Sequence, residues 1–292
     1  MAEVIQQATT GSERTGHAVS GGLRLFYRAF GRPGRTPVLI AHGMSYFSWD
    51  WIDIGRALAT EREVVAFDQR GFGDSDWSPD RDYSPGAFAA DMLAVLDHLG
   101  WKRTVLVGHS MGGRNATFFA ADHPERVAAL ALVDWSPQTA PAGSKRVRET
   151  TAGVPDAFAS VDAAIAHFGK DPRDPRVRAR YAAWLRPVPG GFGIKRDDFF
   201  RERSRAAMQA DRAPGLVADG ERIDMWDRLA RVACPILVVR GTRSDMFAGD
   251  AVPKVRTANP HLTLVEVDAG HNVGGDNPDA LLGALGPFIA AY

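Results

Sequence analysis

A serine between two glycines is the first place where this sequence could do chemistry. Residues 108–112 read G-H-S-M-G, which sets Ser110 in the pattern Gly-x-Ser-x-Gly. The apolar residues before it are typical of a buried strand, and those after it are compatible with a helix. A tight turn between strand and helix lifts the hydroxyl clear of the backbone, and flanking glycines permit the close approach. The pattern therefore predicts a nucleophilic serine beside helix amides that face a developing oxyanion.

Histidines are the candidates for the base that such a serine needs. A serine hydroxyl is a weak nucleophile until a base removes its proton, and a third group must orient that base. Of the eight histidines, His271 follows the last apolar run and precedes the last helix, which suits a base on a loop. His109 lies inside the pattern and is predicted to pack, while His42 is predicted to shape the loop beside the serine. We therefore predict that His271 is the base.

Apolar runs that alternate with helix-compatible stretches must position these residues. The predicted strands are residues 23–30, 37–41, 63–67, 104–107, 127–133, 234–240 and 262–267. The alternation predicts a parallel sheet with helices on both faces, with residues 23–30 as an edge strand. Ligands bind such sheets beyond the carboxyl ends of the strands. Ser110, His271 and Asp134 all follow strand ends, so we expect them to meet there.

The alternation stops in residues 136–225, which are rich in arginine, proline and aromatic residues. We interpret this segment as a mostly helical lid inserted into a core formed by residues 17–135 and 226–292, after a flexible tail of residues 1–16. Lysine and arginine outnumber aspartate and glutamate in the segment, which is typical of a solvated face. The sharper hypothesis is that Arg180 or Arg186 turns inward to pair with a substrate carboxylate.

Composition and charge limit the classes of partner. The chain has 292 residues, 45% of them apolar and 24% charged, as in soluble globular proteins. It carries 35 Lys and Arg against 35 Asp and Glu, which favours neither nucleic acid nor an anionic membrane surface. Cys234 is the only cysteine and lies in an apolar run, so we predict a buried structural thiol. With no signal-like or membrane-spanning run, we expect a cytoplasmic protein; oligomeric state is not predicted.

Together the motifs resemble the α/β-hydrolase superfamily over nearly the whole chain, from residue 23 onward. They are H-G at residues 42–43, D-Q-R-G-F-G-D-S at residues 68–75, G-H-S-M-G at residues 108–112 and G-H at residues 270–271. The resemblance implies the α/β-hydrolase fold, a mostly parallel eight-stranded sheet with helices on both faces and a helical lid after strand 6. It also implies the chain order serine, acid, histidine.

The resemblance assigns roles to individual residues. It makes Ser110 the nucleophile and His271 the base, with the backbone amides of Met44 and Met111 as the oxyanion hole. Relatives that open epoxides or displace halides have aspartate at the nucleophile position, so Ser110 argues against both reactions.

Two aspartates are candidates for the acid. The family pattern after the seventh strand is Gly-x-x-Asp, but residues 241–244 read G-T-R-S, and Asp245 comes one residue late. Asp134 follows the strand that corresponds to the sixth of the family. Residues 109–115 and 133–137 resemble a subgroup that hydrolyses 2-(acetamidomethylene)succinate, in which the acid follows that strand. We favour Asp134 and keep Asp245 as the alternative.

The sequence thus predicts a serine hydrolase without metal or cofactor, acting on a small ester, amide or lactone-like substrate through an acyl-enzyme. Two alternatives stay open: a small-ligand receptor, and lyase or perhydrolase chemistry on the same fold. The predicted substrate-binding residues come from three loops and the lid: His42, Gly43, Tyr46, Phe47, Trp135, Tyr181 and Trp184. For Tyr46, Phe47 and Trp135, a core role in anchoring the lid is the alternative interpretation.

Overall fold

The computed structural model describes residues 13–209 and 223–292, and its centre is one eight-stranded sheet. The strands are β1 (Arg14–Ser20), β2 (Leu23–Gly31), β3 (Val38–Ala41), β4 (Glu63–Phe67), β5 (Thr104–His109), β6 (Val127–Val133), β9 (Ile236–Gly241) and β10 (Leu262–Val267), in the spatial order β1-β2-β4-β3-β5-β6-β9-β10. β1 and β2 pair antiparallel, as do β2 and β4, and every other pair is parallel. The predicted mostly parallel sheet is confirmed.

Helices cover both faces of this sheet. They are α1 (Ile52–Leu58), α2 (Pro85–His98), α3 (Met111–Asp122), α4 (Pro141–Ala152), α5 (Val161–His167), α6 (Pro175–Trp184), α7 (Asp198–Gln209), α8 (Met225–Ala230), α9 (Val252–Thr257), α10 (Val273–Asp276) and α11 (Pro278–Ala290). One apolar layer lies beneath α2, α3, α8 and α9, and the other beneath α1, α10 and α11. All seven residues of β6 are buried, as expected for a strand covered on both faces.

The edge of the sheet differs from the prediction. Residues 23–30 were expected to form an edge strand, but β2 pairs with β1 on one side and β4 on the other. β1 begins at Arg14, so residues 14–16 of the predicted tail are strand, while residues 1–12 lie outside the described part. Only Ala18 and Ser20 are buried in β1, so its apolar signal is too weak to mark it in the sequence.

The segment inserted between β6 and β9 contains α4, α5, α6 and α7, together with the two-stranded sheet formed by β7 (Leu185–Val188) and β8 (Gly191–Ile194). The prediction of a mostly helical segment did not include this hairpin. Phe158, Ile165, Tyr181 and Trp184 form its own apolar cluster, which Phe47 joins from the core. Residues 210–222 of the predicted lid lie outside the described part, and the division of the chain into core and lid stays a prediction.

Cys234 lies just before β9 with its thiol buried. Burial raises the pKa of that thiol to about 11, so it stays protonated at neutral pH and fits a structural role. Across residues 13–209 and 223–292, no helix is both long and apolar enough to cross a membrane. The same residues contain no cluster of three or more His, Cys, Asp or Glu side chains that could hold a metal ion.

Candidate active site

Ser110 stands alone between the end of β5 and the start of α3, in a strained backbone conformation. Its φ is 51° and its ψ is −115°, a region that costs a non-glycine residue about 1–3 kcal/mol. A Cβ on Gly108 would lie 2.6 Å from the carbonyl oxygen of Gly112, and one on Gly112 would overlap the carbonyl of Ala41. Both glycines are therefore required for a turn this tight, which holds the hydroxyl at the carboxyl edge of the sheet.

His271 links Ser110 to an aspartate. Its Nε2 lies 2.9 Å from Ser110 Oγ, and its Nδ1 lies 2.6 Å from Asp134 Oδ2. An ionised carboxylate only accepts hydrogen bonds, so Nδ1–H donates to Asp134 and Nε2 is left to accept the serine proton. The structure thus brings together the three residues that the sequence favoured, in the order hydroxyl, imidazole, carboxylate.

Asp134 is held by the loop that follows β9. Its side chain is fully buried and its φ is 46°, another strained position. Besides His271, its carboxylate accepts a 2.9 Å bond from the Gly241 amide and a short one from the Ser244 hydroxyl. Sequence reasoning missed this role of Ser244. The available signal was that a serine occupies the position where the family pattern has its acid.

Asp245, the alternative acid, has a different partner. Its carboxylate forms a bidentate pair with Arg146, with Arg146 Nη2 2.8 Å from Asp245 Oδ1. Those hydrogen bonds hold the pKa of Asp245 below its usual value. Its side chain is 37% exposed, and within the described residues it makes no hydrogen bond to His271. The geometry therefore favours Asp134, and an interaction with Arg146 explains the position of Asp245.

The amides predicted as an oxyanion hole lie on either side of the serine. Met111 is the first residue of α3, so its N–H has no intrahelical acceptor. Met44 follows β3 in a neighbouring loop, and both residues line the same cavity as Ser110. A Cβ on Gly43 would lie 2.7 Å from His109 Nδ1 and 3.2 Å from Ser110 Cβ. Gly43 therefore lets this loop approach Ser110.

His42 and His109 are buried supports. His42 Nε2 accepts a 2.9 Å bond from the Gln69 amide, and its Nδ1–H donates to the Gly43 carbonyl. His109 Nε2–H donates to the carbonyl of His271 at 2.9 Å, which anchors the loop that carries His271. Burial lowers the pKa of His42 to about 4 and that of His109 to about 3, so both are neutral at physiological pH.

A cavity of about 590 Å³ opens in front of Ser110. Of the predicted substrate-binding residues, four line it: Tyr46, Trp135, Tyr181 and Trp184. The other three do not, and their assignment is corrected. Phe47 is 1% exposed and packs into the apolar cluster of the inserted segment. His42 is fully buried and bonds to the Gly43 carbonyl, and neither residue borders the cavity.

Of the two arginines predicted to turn inward towards a substrate carboxylate, Arg180 lines the cavity, and the prediction is wrong for Arg186. Arg180 lines the cavity, but its guanidinium already pairs with Asp50 and lies 4.8 Å from the ring centroid of Trp184. Arg186 lies over the ring of Trp77 and does not line the cavity. Neither partner is close in sequence to its arginine, so the lid sequence alone did not reveal them.

Comparisons with known proteins identify similar chains and a family. A family model described as the alpha/beta hydrolase fold matches residues 36–278. The chain is 29% identical to the 2-(acetamidomethylene)succinate hydrolase of Mesorhizobium japonicum (87% of this chain, 88% of the relative) and 28% identical to the 3-hydroxybutyrate-oligomer hydrolase of Cupriavidus necator (85% and 87%). The crystal structure of E-2-(acetamidomethylene)succinate hydrolase superimposes with a TM-score of 0.80 at 26% identity (96% of this chain, all of the other).

Proposed function

The chain belongs to the α/β-hydrolase family, and we propose that it is a serine hydrolase that cleaves a small ester or amide through an acyl-enzyme intermediate. One observation carries the proposal. Ser110 Oγ lies 2.9 Å from His271 Nε2, and His271 Nδ1 lies 2.6 Å from the buried carboxylate of Asp134. The strained serine faces a cavity large enough for a small molecule. The relatives named above are hydrolases, which supports the same reaction class.

Acylation begins when Ser110 Oγ attacks the carbonyl carbon and its proton moves to His271 Nε2. The carbonyl oxygen gains negative charge, and the amides of Met44 and Met111 stabilise it. Loss of one such donor costs about 3–4 kcal/mol in comparable enzymes. As the carbon–heteroatom bond breaks, His271 returns the proton to the leaving group. The products are the acyl-serine and a free alcohol or amine.

Deacylation repeats these steps with water. His271 Nε2 accepts a proton from the water as its oxygen attacks the acyl carbon, and Ser110 Oγ leaves with that proton. Throughout the cycle, Asp134 keeps Nδ1–H in place and stabilises the imidazolium that forms twice. Every step uses residues of this chain and one water molecule, so no cofactor is needed for the proposed reaction.

The names of two relatives suggest the substrate class. One relative acts on an acetamido compound, which contains an amide, and another on oligomers of hydroxybutyrate, which are joined by esters. Serine triads of this kind attack either bond. We therefore propose small esters and amides as the substrate class of this chain, and include lactones because they are cyclic esters.

A burst experiment tests the proposal. We expect para-nitrophenyl acetate to release one equivalent of nitrophenol rapidly and the remainder more slowly, as the acyl-enzyme accumulates. Ser110→Ala should abolish both phases. Ser160→Ala, at an exposed helix cap in the inserted segment, is the matched control and should behave as wild type.

The receptor alternative makes the opposite prediction. A receptor would bind the ester and release no nitrophenol above the rate with Ser110→Ala. The lyase or perhydrolase alternative would show a burst as well, and identification of the acyl product separates it. Free acid as the product supports hydrolysis.

A further inference from the structure

Arg114 and Arg196 line the same cavity as Ser110, and among the described residues their side chains bond to neutral groups and form no ion pair. Arg196 is only 5% exposed. Arginine stays protonated in proteins, and a buried charge without a counter-ion costs folding free energy. The presence of two such arginines in one cavity therefore suggests that they bind an anion there.

The surrounding residues orient Arg114. Its Nε and Nη2 both donate to Asn115 Oδ1, at 3.1 and 3.0 Å. The Asn115 amide donates to Gln69 Oε1 at 2.8 Å, and Gln69 in turn donates to the carbonyl of His42. This buried chain of neutral groups fixes the guanidinium one helical turn after Ser110 without neutralising it. These hydrogen bonds orient the guanidinium and leave its positive charge available to an anion.

Arg196 is oriented from the other side of the oxyanion-hole loop. Its Nη1 donates to Ser45 Oγ at 2.6 Å, and Ser45 is the residue after Met44. The φ of Ser45 is 66°, a conformation that serine seldom adopts. Within the described residues no buried, unpaired donor belongs to Arg114 or Arg196, so their remaining N–H groups reach accessible space.

The carboxylates nearest to Arg196 have other hydrogen-bond partners. It also borders a smaller cavity that contains Asp197 and Asp198. Asp198 is paired with Arg201 at 2.9 Å, and Asp197 accepts a short hydrogen bond from Tyr83. Both acids are therefore engaged elsewhere, and neither forms an ion pair with Arg196.

The other two arginines of the cavity show the contrast. Arg146 pairs with Asp245 and Arg180 with Asp50, and in each case the acid raises the pKa of the guanidinium. Burial instead lowers the pKa of Arg114 and of Arg196 to about 10, and a neighbouring arginine lowers each further. Asp198 offsets only part of this effect at Arg196. Both remain charged at neutral pH and would gain most from an incoming anion.

We propose that Arg114 and Arg196 form an anion subsite that binds a carboxylate of the substrate, so that the substrate is a small ester or amide carrying at least one acidic group. A carboxylate fits because a guanidinium binds its two oxygens through parallel hydrogen bonds. The assignment of the ligand as substrate rests on the proposed serine hydrolase activity. The subsite itself rests only on the two arginines and the cavity.

Two esters of matched length test the subsite. They are the para-nitrophenyl hemiester of succinic acid, which is anionic, and para-nitrophenyl pentanoate, which is neutral. We expect wild type to prefer the anionic ester in kcat/KM, and Arg196→Met and Arg114→Met each to lower that preference at least tenfold. Arg186→Met, which removes an arginine outside the cavity, is the control and should keep the preference.

A binding measurement separates this proposal from the catalytic one. Calorimetric titration of succinate into Ser110→Ala protein requires no turnover, with neutral succinamide as the control ligand. The subsite is supported if Ser110→Ala binds succinate but not succinamide, and if adding Arg196→Met weakens succinate binding at least tenfold. This result would stand even if no ester is hydrolysed. If a methionine variant does not fold, Arg196→Lys retains charge without the fork and should weaken succinate binding partially. Equal affinity for both ligands in Ser110→Ala, or unchanged succinate binding in the arginine variants, overturns the proposal.

Discussion

The loops after β6 and after β9 each bring an aspartate to the carboxyl edge of the sheet, but the two residues have different surroundings. Asp134, after β6, is 1% exposed and accepts hydrogen bonds from His271, Gly241 and Ser244. Asp245, after β9, is over a third exposed and pairs with Arg146. The β9 region still takes part, because the last residue of β9 and the loop after it supply two of the three donors to Asp134.

This difference shows what makes an aspartate suitable to orient a base. Inside the protein, each hydrogen bond to a carboxylate is stronger than in water, and several donors fix its direction. An exposed ion pair such as that of Asp245 and Arg146 is screened by solvent and is worth about 0–1 kcal/mol. We infer that the acid lies on the β6 loop and that the β9 loop supports it.

The largest expected effect comes from removing the charge of each aspartate in turn. Asp134→Asn should lower kcat by about 10³–10⁴, because an amide does not hold His271 in the required tautomer. Asp245→Asn should change kcat by no more than a few-fold. Steady-state kinetics with one ester, with circular dichroism to check the fold, decides between them. The reverse ranking would place the acid on the β9 loop.

A smaller effect is expected from moving the acid between the two loops. Ser244 occupies the position of the family acid, and its hydroxyl contacts the carboxylate that contacts His271. Adding Ser244→Asp to Asp134→Asn should therefore recover about 10- to 100-fold of the lost kcat. Adding Asp245→Glu instead is the control and should recover nothing. If both double variants recover activity, or neither does, position 244 cannot supply the acid in place of Asp134.

Loss of the Ser244 hydroxyl alone should cost less. Ser244→Ala removes one of three donors to Asp134, a charge-assisted bond worth about 1.5–3 kcal/mol. With one donor lost, Asp134 holds the His271 ring less firmly, so we expect kcat to fall about tenfold or less, with KM nearly unchanged. Ser244→Thr keeps the hydroxyl and should restore the wild-type kcat. An unchanged kcat in Ser244→Ala would show that this hydroxyl does not support Asp134.

The smallest effect concerns the support beneath the loop of the base. The folded protein keeps His109 neutral, with its pKa lowered from 6.5 to about 3, whereas the unfolded chain takes up the proton. Stability due to His109 is therefore present above pH 6.5 and is lost as pH falls towards 3. Between about pH 6 and pH 4, this proton uptake lowers the free energy of unfolding of wild type by about 1.4 kcal/mol for each unit by which the pH is decreased. His109→Gln lacks this contribution, so its free energy of unfolding should decrease less steeply by that amount. Urea unfolding at a series of pH values measures this slope, and equal slopes would contradict the neutral state.

Local patterns in the sequence predicted the sheet and the positions of Ser110 and His271, because each follows a strong apolar run that marks a strand end. They did not predict β1, whose few buried residues give little signal, or the hairpin of β7 and β8 inside the inserted segment. These elements are specified by contacts with neighbours and not by their own apolar content.

The details of the site depend on contacts between residues far apart in the chain. The sequence left Asp134 and Asp245 both open, since the choice depends on how two loops meet across neighbouring strands. In the same way, the inward orientation of Arg180 was predicted, but its partner Asp50 comes from a different loop. Such pairings have no local signature, so only the folded structure reveals them.

The contact between His271 and Asp134 can be observed directly by proton NMR. A ring proton shared between a histidine nitrogen and a buried carboxylate at 2.6 Å is shielded from exchange and resonates far downfield of the amides. We expect such a signal in wild type, its persistence in Asp245→Asn and its loss in both His271→Ala and Asp134→Asn. A signal that survives Asp134→Asn and disappears in Asp245→Asn would contradict the assignment of the acid.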